Sequence, residues 1–592
     1  MTGFTAPEED GWGQGRTADS LIWHSARSPK GMVQLAYYAL DDLKERGWCK
    51  SELGLLMEDD LAFASLLSRP RIRDHKNCRG VLCDAYQTNE ATYKARHVED
   101  QCNCGFVEVP SDLLTCALSK KMIPKIIITE ELELQVKSER DYPYIAISHV
   151  WADGLGNAVS NALPRCQLRR LRDYANALNH TLNPTSPSPA TSPVALWMDT
   201  LCVPVHPDAK AYRKEAILLL GETFSKATAV LVLDRELEIV ESTSTAFLEL
   251  ALRIICSGWM KRLWTLQEAT LAGETQGSDK LYFQMRDGPF LYQKNDQDRK
   301  SMGEGKGEVE IDSEERSFLR DEAVIGTLRE QVPSMQAIRN KRAPFQNIYD
   351  AIQFRSTSKS EDVPVCITSL LGHDPSTTIS ALDVERRMAN FYMLMREVPC
   401  GVAWVPTAEK LGIRPFRWAP KHITSCSKIE WVSAWEDGIC DAAGLHVRAS
   451  GFIFAESEMQ RHGLGSALPT VFRMAYEDSG DMADQLLWPQ LRQGQDAASE
   501  IPLQRGLALI FRPLWSPPDV LAQSDEIPER NDVIAVVIED TVNSACGDNG
   551  THSPEYVCRI VGFLSGEQLV DASEVGLRCG YTTADDQRWC LT

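Results

Sequence analysis

Tyr144-Ile-Ala-Ile-Ser-His-Val-Trp151 is a short apolar run that turns polar near its end, with charged sequence before it and glycines after it. A short run that does not alternate reads as a strand buried on both faces. Outward from it, Leu168–Leu178 has helical spacing, Ala195–Cys202 is a second buried-strand candidate and Arg213–Phe224 is helical. Ala229–Leu233 is a third strand, and Thr245–Ile255 and Trp259–Leu271 are helical. Strands alternating with helices predict βα units around a mostly parallel sheet flanked by helices, an α/β fold.

Ligands in open α/β sheets bind beyond the carboxyl ends of the strands. Ser148, His149 and Asp153 end the first run, and Asp199 and Thr200 end the second. In Ser257-Gly-Trp-Met-Lys-Arg-Leu-Trp-Thr-Leu-Gln-Glu268, helical spacing puts Trp264, Glu268 and Leu271 on one face. A carboxylate beside an aromatic on an otherwise apolar face is a candidate functional acid. The plainer readings are a helix cap or arginine pair for Asp199, an ion pair with Lys261 or Arg262 for Glu268, and core packing for Trp151, Trp259 and Trp264.

The rest of the 592 residues divides by pattern, and a length of this order suggests about three or four domains. Residues 1–135 read as a helical module (Met32–Glu45, Leu61–Leu67) with a Cys/His cluster, and residues 136–285 as the α/β domain. The Pro-rich Asn183–Pro193 reads as a loop inserted into that domain. Residues 286–330 form a charged linker or long loop, in which Lys294 to Arg316 carries eight acids against five bases. Residues 331–420 are mainly helical, and residues 421–592 are β-rich with no chemistry-bearing motif.

A net charge of -21 disfavours nucleic acid as the main partner, because phosphate binding needs a basic surface. No apolar run approaches the roughly 18–20 residues that span a bilayer, and no basic-then-apolar leader opens the sequence. These features lead to the expectation of a cytoplasmic protein without membrane contact, whose 17 cysteines are thiols or metal ligands rather than a disulfide framework. Cys78, Cys83, His97, Cys102 and Cys104, with His75 just upstream, are the candidate ligands of a structural zinc. Zinc takes four N or S donors, usually as two close pairs. Cys78/Cys83 with His97/Cys102 fits, as does the second pair with Cys104 exchanged in. A catalytic zinc is disfavoured, since no HExxH-type motif is present. The plainer reading is a buried segment with free thiols.

Taken together and in order, the Ser-His-Val-Trp block, Trp197-Met-Asp-Thr-Leu-Cys-Val-Pro204, the Ala229-Val-Leu-Val-Leu-Asp234 strand and the Ser257–Glu268 helix resemble the fungal heterokaryon incompatibility (HET) domain. Residues 140–275 match closely. Phe354–Asp362, Val365–Gly372 and Arg417–Pro420 resemble elements that follow the domain, over roughly residues 345–420. Ser148-His-Val-Trp-Ala-Asp departs from the commoner Ser-Tyr-Val-Trp-Gly and is similar to a subgroup variant.

The resemblance implies a role in programmed cell death when unlike fungal cells fuse. It also implies a TIR-like, flavodoxin-like fold of the innate-immune type, acting by self-association. Many TIR domains cleave NAD at the nicotinamide–ribose bond, with a glutamate in a helix opened by a Ser-x-x-Trp-Cys-x-x-Glu type pattern. By that resemblance Glu268 is the catalytic residue and NAD the substrate. Ser148, His149, Trp151, Asp153, Asp199 and Trp264 would then shape the pocket, and Gly154 and Gly156 would let backbone N–H groups approach phosphate. The competing expectation is a non-catalytic signalling or scaffold protein, with partners docking on the C-terminal region.

Overall fold

The apolar runs at residues 144–150 and 229–233 become neighbouring inner strands of a seven-stranded sheet in a computed structural model. The structure describes residues 42–54, most of 73–184, 194–272, 280–291, 344–424 and 437–454, and from 507 to 592 the strands with their flanks. The helix read at Leu61–Leu67, most of that at Met32–Glu45, most of the Pro-rich loop and nearly all of the charged linker lie outside the described residues. The chain forms two units, residues 1–359 with 369–372, and residues 360–368 with 373–592.

In the first unit the strands are β1 (Phe106–Glu108), β2 (Lys125–Ile128), β3 (Leu134–Lys137), β4 (Tyr144–His149), β5 (Ala162–Pro164), β6 (Ala195–Trp197), β7 (Ala229–Leu233), β8 (Leu281–Met285) and β9 (Gly288–Leu291). The helices are α1 (Lys50–Gly54), α2 (Ser111–Ser119), α3 (Arg165–Leu182), α4 (Asp199–Cys202), α5 (Lys210–Leu218), α6 (Leu220–Lys226), α7 (Phe247–Ile255), α8 (Leu263–Leu271) and α9 (Pro344–Ile352). The main sheet runs β3-β2-β6-β4-β7-β8-β9, and β1 pairs with β5 in a separate ladder.

The four inner strands β6-β4-β7-β8 are parallel, whereas β2, β3 and β9 add antiparallel pairs at the edges. The sheet is therefore mixed rather than mostly parallel. Parallel strands need long crossovers, and α3 and the α4–α6 segment supply them between β4, β6 and β7; the edge strands β3 and β9 need only short connections to their neighbours. Numbered among themselves, the inner strands run 2-1-3-4, so the chain reverses its winding direction at β4 and β7, where a doubly wound sheet opens its ligand crevice. Every residue of β2, β4, β6, β7 and β8 is buried. The sheet begins at Lys125 and ends at Leu291, so it overruns the limits 136–285 read from the sequence.

Two elements differ from their sequence reading. Ala195–Cys202 is strand only to Trp197. Asp199 Oδ1 accepts the Thr200 amide at 2.6 Å and the Thr200 hydroxyl bonds the Leu155 carbonyl at 2.8 Å, which turns the chain into α4. The Cys/His stretch 73–104 contains no helix among its described residues.

In the second unit, most of α10 (Asp362–Leu370), α11 (Ser376–Ser380) and α12 (Val384–Met395) precede a nine-stranded sheet. Its strands are β10 (Glu397–Pro399), β11 (Asp437–Asp441), β12 (Gly444–Arg448), β13 (Gly451–Phe454), β14 (Leu507–Phe511), β15 (Val533–Val542), β16 (Glu555–Leu564), β17 (Gly580–Thr582) and β18 (Arg588–Leu591). All its pairings are antiparallel except β16 with β18, in keeping with the β-rich reading.

Leu231 is fully buried at the middle of β7. Leu231→Ala is expected to cost about 2–5 kcal/mol of stability, read as a lower denaturant midpoint for the first unit. An unchanged midpoint would mean that β7 is not a core strand.

Candidate functional site

The carboxyl ends of β4 and β7 are where sequence and topology bring polar groups together. Ser148 and His149 are the last residues of β4, and both are buried. The Ser148 hydroxyl donates to Glu268 Oε2, and its oxygen accepts the Trp259 indole N–H at 2.6 Å. Beside it, His149 Nε2 lies 2.8 Å from Asp199 Oδ1, and the Trp151 indole donates to Asp199 Oδ2 at 2.7 Å. A carboxylate only accepts, so His149 carries its proton on Nε2. Its Nδ1 is buried with no hydrogen-bond partner among the described residues.

Helix α8 is buried along nearly all its length; Trp264 and Glu268 form its half-buried strip, one turn apart. The two carboxylates at the site are pushed apart in acidity. Burial raises Glu268 to about 7; the Asp199 charge adds to this, against the opposing Ser148 hydrogen bond. Burial also acts upward on Asp199, but the His149 interactions, the Trp151 indole and the Thr200 amide outweigh it and hold that carboxyl at about 2. Such a split is the usual basis for giving two carboxyl groups different chemical roles at one pH.

Behind the pair, Asp234 accepts the amides of Trp259 at 2.8 Å and Glu236 at 2.9 Å. Burial and the neighbouring Asp153 and Glu236 charges push it up to about 8. Asp153 itself is bonded to Arg73 at 2.5 Å and to the Arg235 amide at 3.1 Å, so it bridges segments rather than joining the Asp199–Glu268 group. Gly154 and Gly156 are needed for packing. A Cβ on Gly156 would come within 2.5 Å of the Trp151 ring, and Gly154 holds φ +104° against Arg96. Their amides are bonded within the chain, Gly156 N–H to the Tyr93 hydroxyl at 2.9 Å and Gly154 N–H to the Trp151 carbonyl at 2.9 Å. The phosphate-cradle expectation for these amides is corrected accordingly.

Of the plainer readings, the ion pair of Glu268 with Lys261 does not form. Lys261 lies 3.4 Å from Glu52, both fully buried. The role of Trp259 in bonding Ser148 was missed, because an indole N–H that reaches a strand end leaves no mark in spacing.

The Cys/His residues form two groups that can each hold a metal ion: Cys49, His75, Cys78 and Cys83, and His97, Cys102, Cys104 and Cys166. Within each group the ligand atoms all lie within 4.8 Å of one another. Cys78 and Cys83 are thus separated from His97, Cys102 and Cys104, and the single mixed site expected from spacing is replaced by two. Cys49 and Cys166 were missed because each lies far along the chain from its partners. No disulfide forms among the described cysteines, and no described helix is long and apolar enough to cross a membrane.

In comparisons with protein-family models, curated proteins and solved structures, nothing matches the chain.

Glu268 sits above its ordinary carboxyl range of about 4.5 in the folded chain, so its ionisation opposes folding as pH rises from there through about 7. Glu268→Gln keeps an acceptor for Ser148 and removes that penalty. The variant is expected to match the wild type at pH 5 and to be more stable at pH 8 by roughly 2 kcal/mol. Equal stability at both pH values would show that Glu268 is not strained by burial.

Proposed function

We propose that the chain is a HET-type cell-death protein whose TIR-like α/β unit hydrolyses NAD at the nicotinamide–ribose bond. The observation that carries this reading is the Ser148–Glu268 hydrogen bond at the C-terminal edge of β4, beside the Asp199–His149 pair. The glutamate singled out by its resemblance to TIR enzymes lies at the switch point of the doubly wound sheet, where ligands bind.

Breaking an N-glycosidic bond develops positive charge on the ribose, which a nearby carboxylate stabilises. Nicotinamide leaves as a neutral base from a cationic ring, so no strong acid is needed; water adds to the ribose carbon it vacates and releases its proton to solvent. In this mechanism ionised Glu268 faces the ribose and stabilises its developing charge. Ser148, itself held by Trp259, orients the Glu268 carboxylate. Asp199 stays ionised, holds the Trp151 indole and fixes the His149 tautomer. Trp151 and Trp264 supply aromatic surface for the base. Self-association is the proposed means of activation, and the proposal includes structural zinc in the Cys/His-rich segment, whose thiolate-rich donor sets suit that ion.

Purified protein incubated with NAD, with and without a crowding agent, is expected to release nicotinamide. The rate should rise with pH through about 7 as Glu268 ionises, and Glu268→Ala should lower it roughly 100-fold or more. Absence of release under every assembly condition would overturn the enzymatic reading and leave signalling by assembly. Release that Glu268→Ala leaves unchanged would remove Glu268 from the role.

A further inference from the structure

We infer that the two Cys/His groups are two separate four-ligand zinc sites, each bracing one wall of the carboxylate site. This deepens the zinc reading above and does not depend on NAD cleavage. In a tetrahedron around zinc, bonds of about 2.3 Å to sulfur and about 2.0–2.1 Å to nitrogen put two sulfurs about 3.8 Å apart and a sulfur and a nitrogen about 3.5 Å apart. In the first group Cys78 and Cys83 sulfurs are 3.8 Å apart, and His75 Nδ1 is 3.5 Å from Cys83 and 3.8 Å from Cys78. In the second, His97 Nδ1 is 3.3 Å from Cys104 and 3.5 Å from Cys166. These distances match edges of a zinc tetrahedron, the remaining ligand atoms of each group lie within 4.8 Å, and both groups have the same composition, three thiols and one imidazole. Backbone amides support the sulfurs: Cys166 N–H donates to Cys104 and Val98 N–H to Cys166. Such outer-shell bonds orient ligands and favour the thiolate.

The first site stands behind Glu268. Glu52 accepts the Cys49 amide at 3.0 Å, lies 3.5 Å from His75 and pairs with buried Lys261. Tyr86, three residues past Cys83, packs edge-on to His75 and bonds Glu236 at 2.9 Å. Its ring lies so close to Gly258 that a Cβ there would meet it at 2.2 Å. Gly258 to Lys261 is the turn that presents the Trp259 indole to Ser148.

The second site stands behind Asp199. The β1–β5 ladder and the Arg165 amide on the Gly105 carbonyl bring Cys104 beside Cys166 in the first turn of α3. The same segment carries Arg96, whose amide donates to Gly154, and Tyr93, whose hydroxyl donates to the Trp151 carbonyl at 2.5 Å. This fixes the loop that holds Trp151 on Asp199. Cys49 and Cys166 are thus ligands, and Tyr86 and Tyr93 positioning residues.

The full chain, purified without added metal, is expected to carry two zinc ions per molecule by mass spectrometry. Cys49→Ser and Cys166→Ser should each retain one. Wild-type content of one or none, or both variants retaining two, would overturn the assignment. Because a variant can lose both ions by misfolding, cobalt(II) titration of the metal-stripped wild type provides a second measurement. Thiolate-to-cobalt absorption should saturate at two equivalents, and saturation at one would overturn the two-site reading. Hydrogen exchange tests the bracing: Cys166→Ser should speed exchange about tenfold at residues 151–156 and not at 257–262, and Cys49→Ser the reverse. Unchanged exchange in both variants would reduce the ions to local staples.

Discussion

The buried Trp259 ties the parts of this site together. Its indole N–H is held by Ser148, its amide by Asp234, and its carbonyl by the Thr265 hydroxyl, while its ring packs edge-on to Phe283 of β8. Each is a buried polar group whose hydrogen bond is costly to lose. One residue, through its indole and its backbone, therefore links the end of β4, the end of β7, the sheet interior and the first turn of α8. The position of Glu268 follows from that linkage. Moving the Trp259 turn would leave Ser148 and Asp234 each short of a partner in a region closed to water.

Burial also acts on the acidity of the site. Four acidic side chains, Asp199, Asp234, Glu238 and Glu268, lie around one sheet edge, and burial acts on every one in the same upward direction. Their neighbours separate them. Asp199 has an imidazole, an indole and an amide and stays ionised; Glu268 has mainly a serine hydroxyl and is held at about 7. A carboxyl close to neutral pH next to one that is permanently charged gives the crevice one group able to change protonation and one that sets orientation. Arg73 and Arg170 offset part of the remaining negative charge through Asp153 and Glu238.

Much of the inner sheet was legible because buried parallel strands leave a simple mark: β4 and β7 are uninterrupted apolar runs, and α3 has regular helical spacing. The antiparallel edges were less so. Lys125–Ile128 is short and opens on a lysine, and Gly288–Leu291 lies in sequence that reads as linker; only pairing with β6 and β8 makes strands of them. At the site, helical spacing alone placed Trp264 and Glu268 on one strip of α8, and strand ends placed Ser148, His149 and Asp199. The thiol-rich stretch was visible as a cluster, but its division was not. Cys166 joins residues some sixty positions earlier through the β1–β5 ladder, a partnership that spacing cannot encode.

The sequence by itself determined which segments are buried, that strands and helices alternate through the centre of the chain, and which polar residues stand at strand ends. These are local properties, set by side-chain hydrophobicity and by the periods of helix and strand. Only the tertiary structure decided that Ser148 meets Glu268 rather than solvent, that Asp153 turns away to Arg73, that Lys261 pairs with Glu52, and that the thiols and histidines gather in two groups rather than one. Each of those outcomes depends on atoms brought within a few ångströms from distant parts of the chain. Hydrogen bonding, desolvation and metal coordination act only at that range.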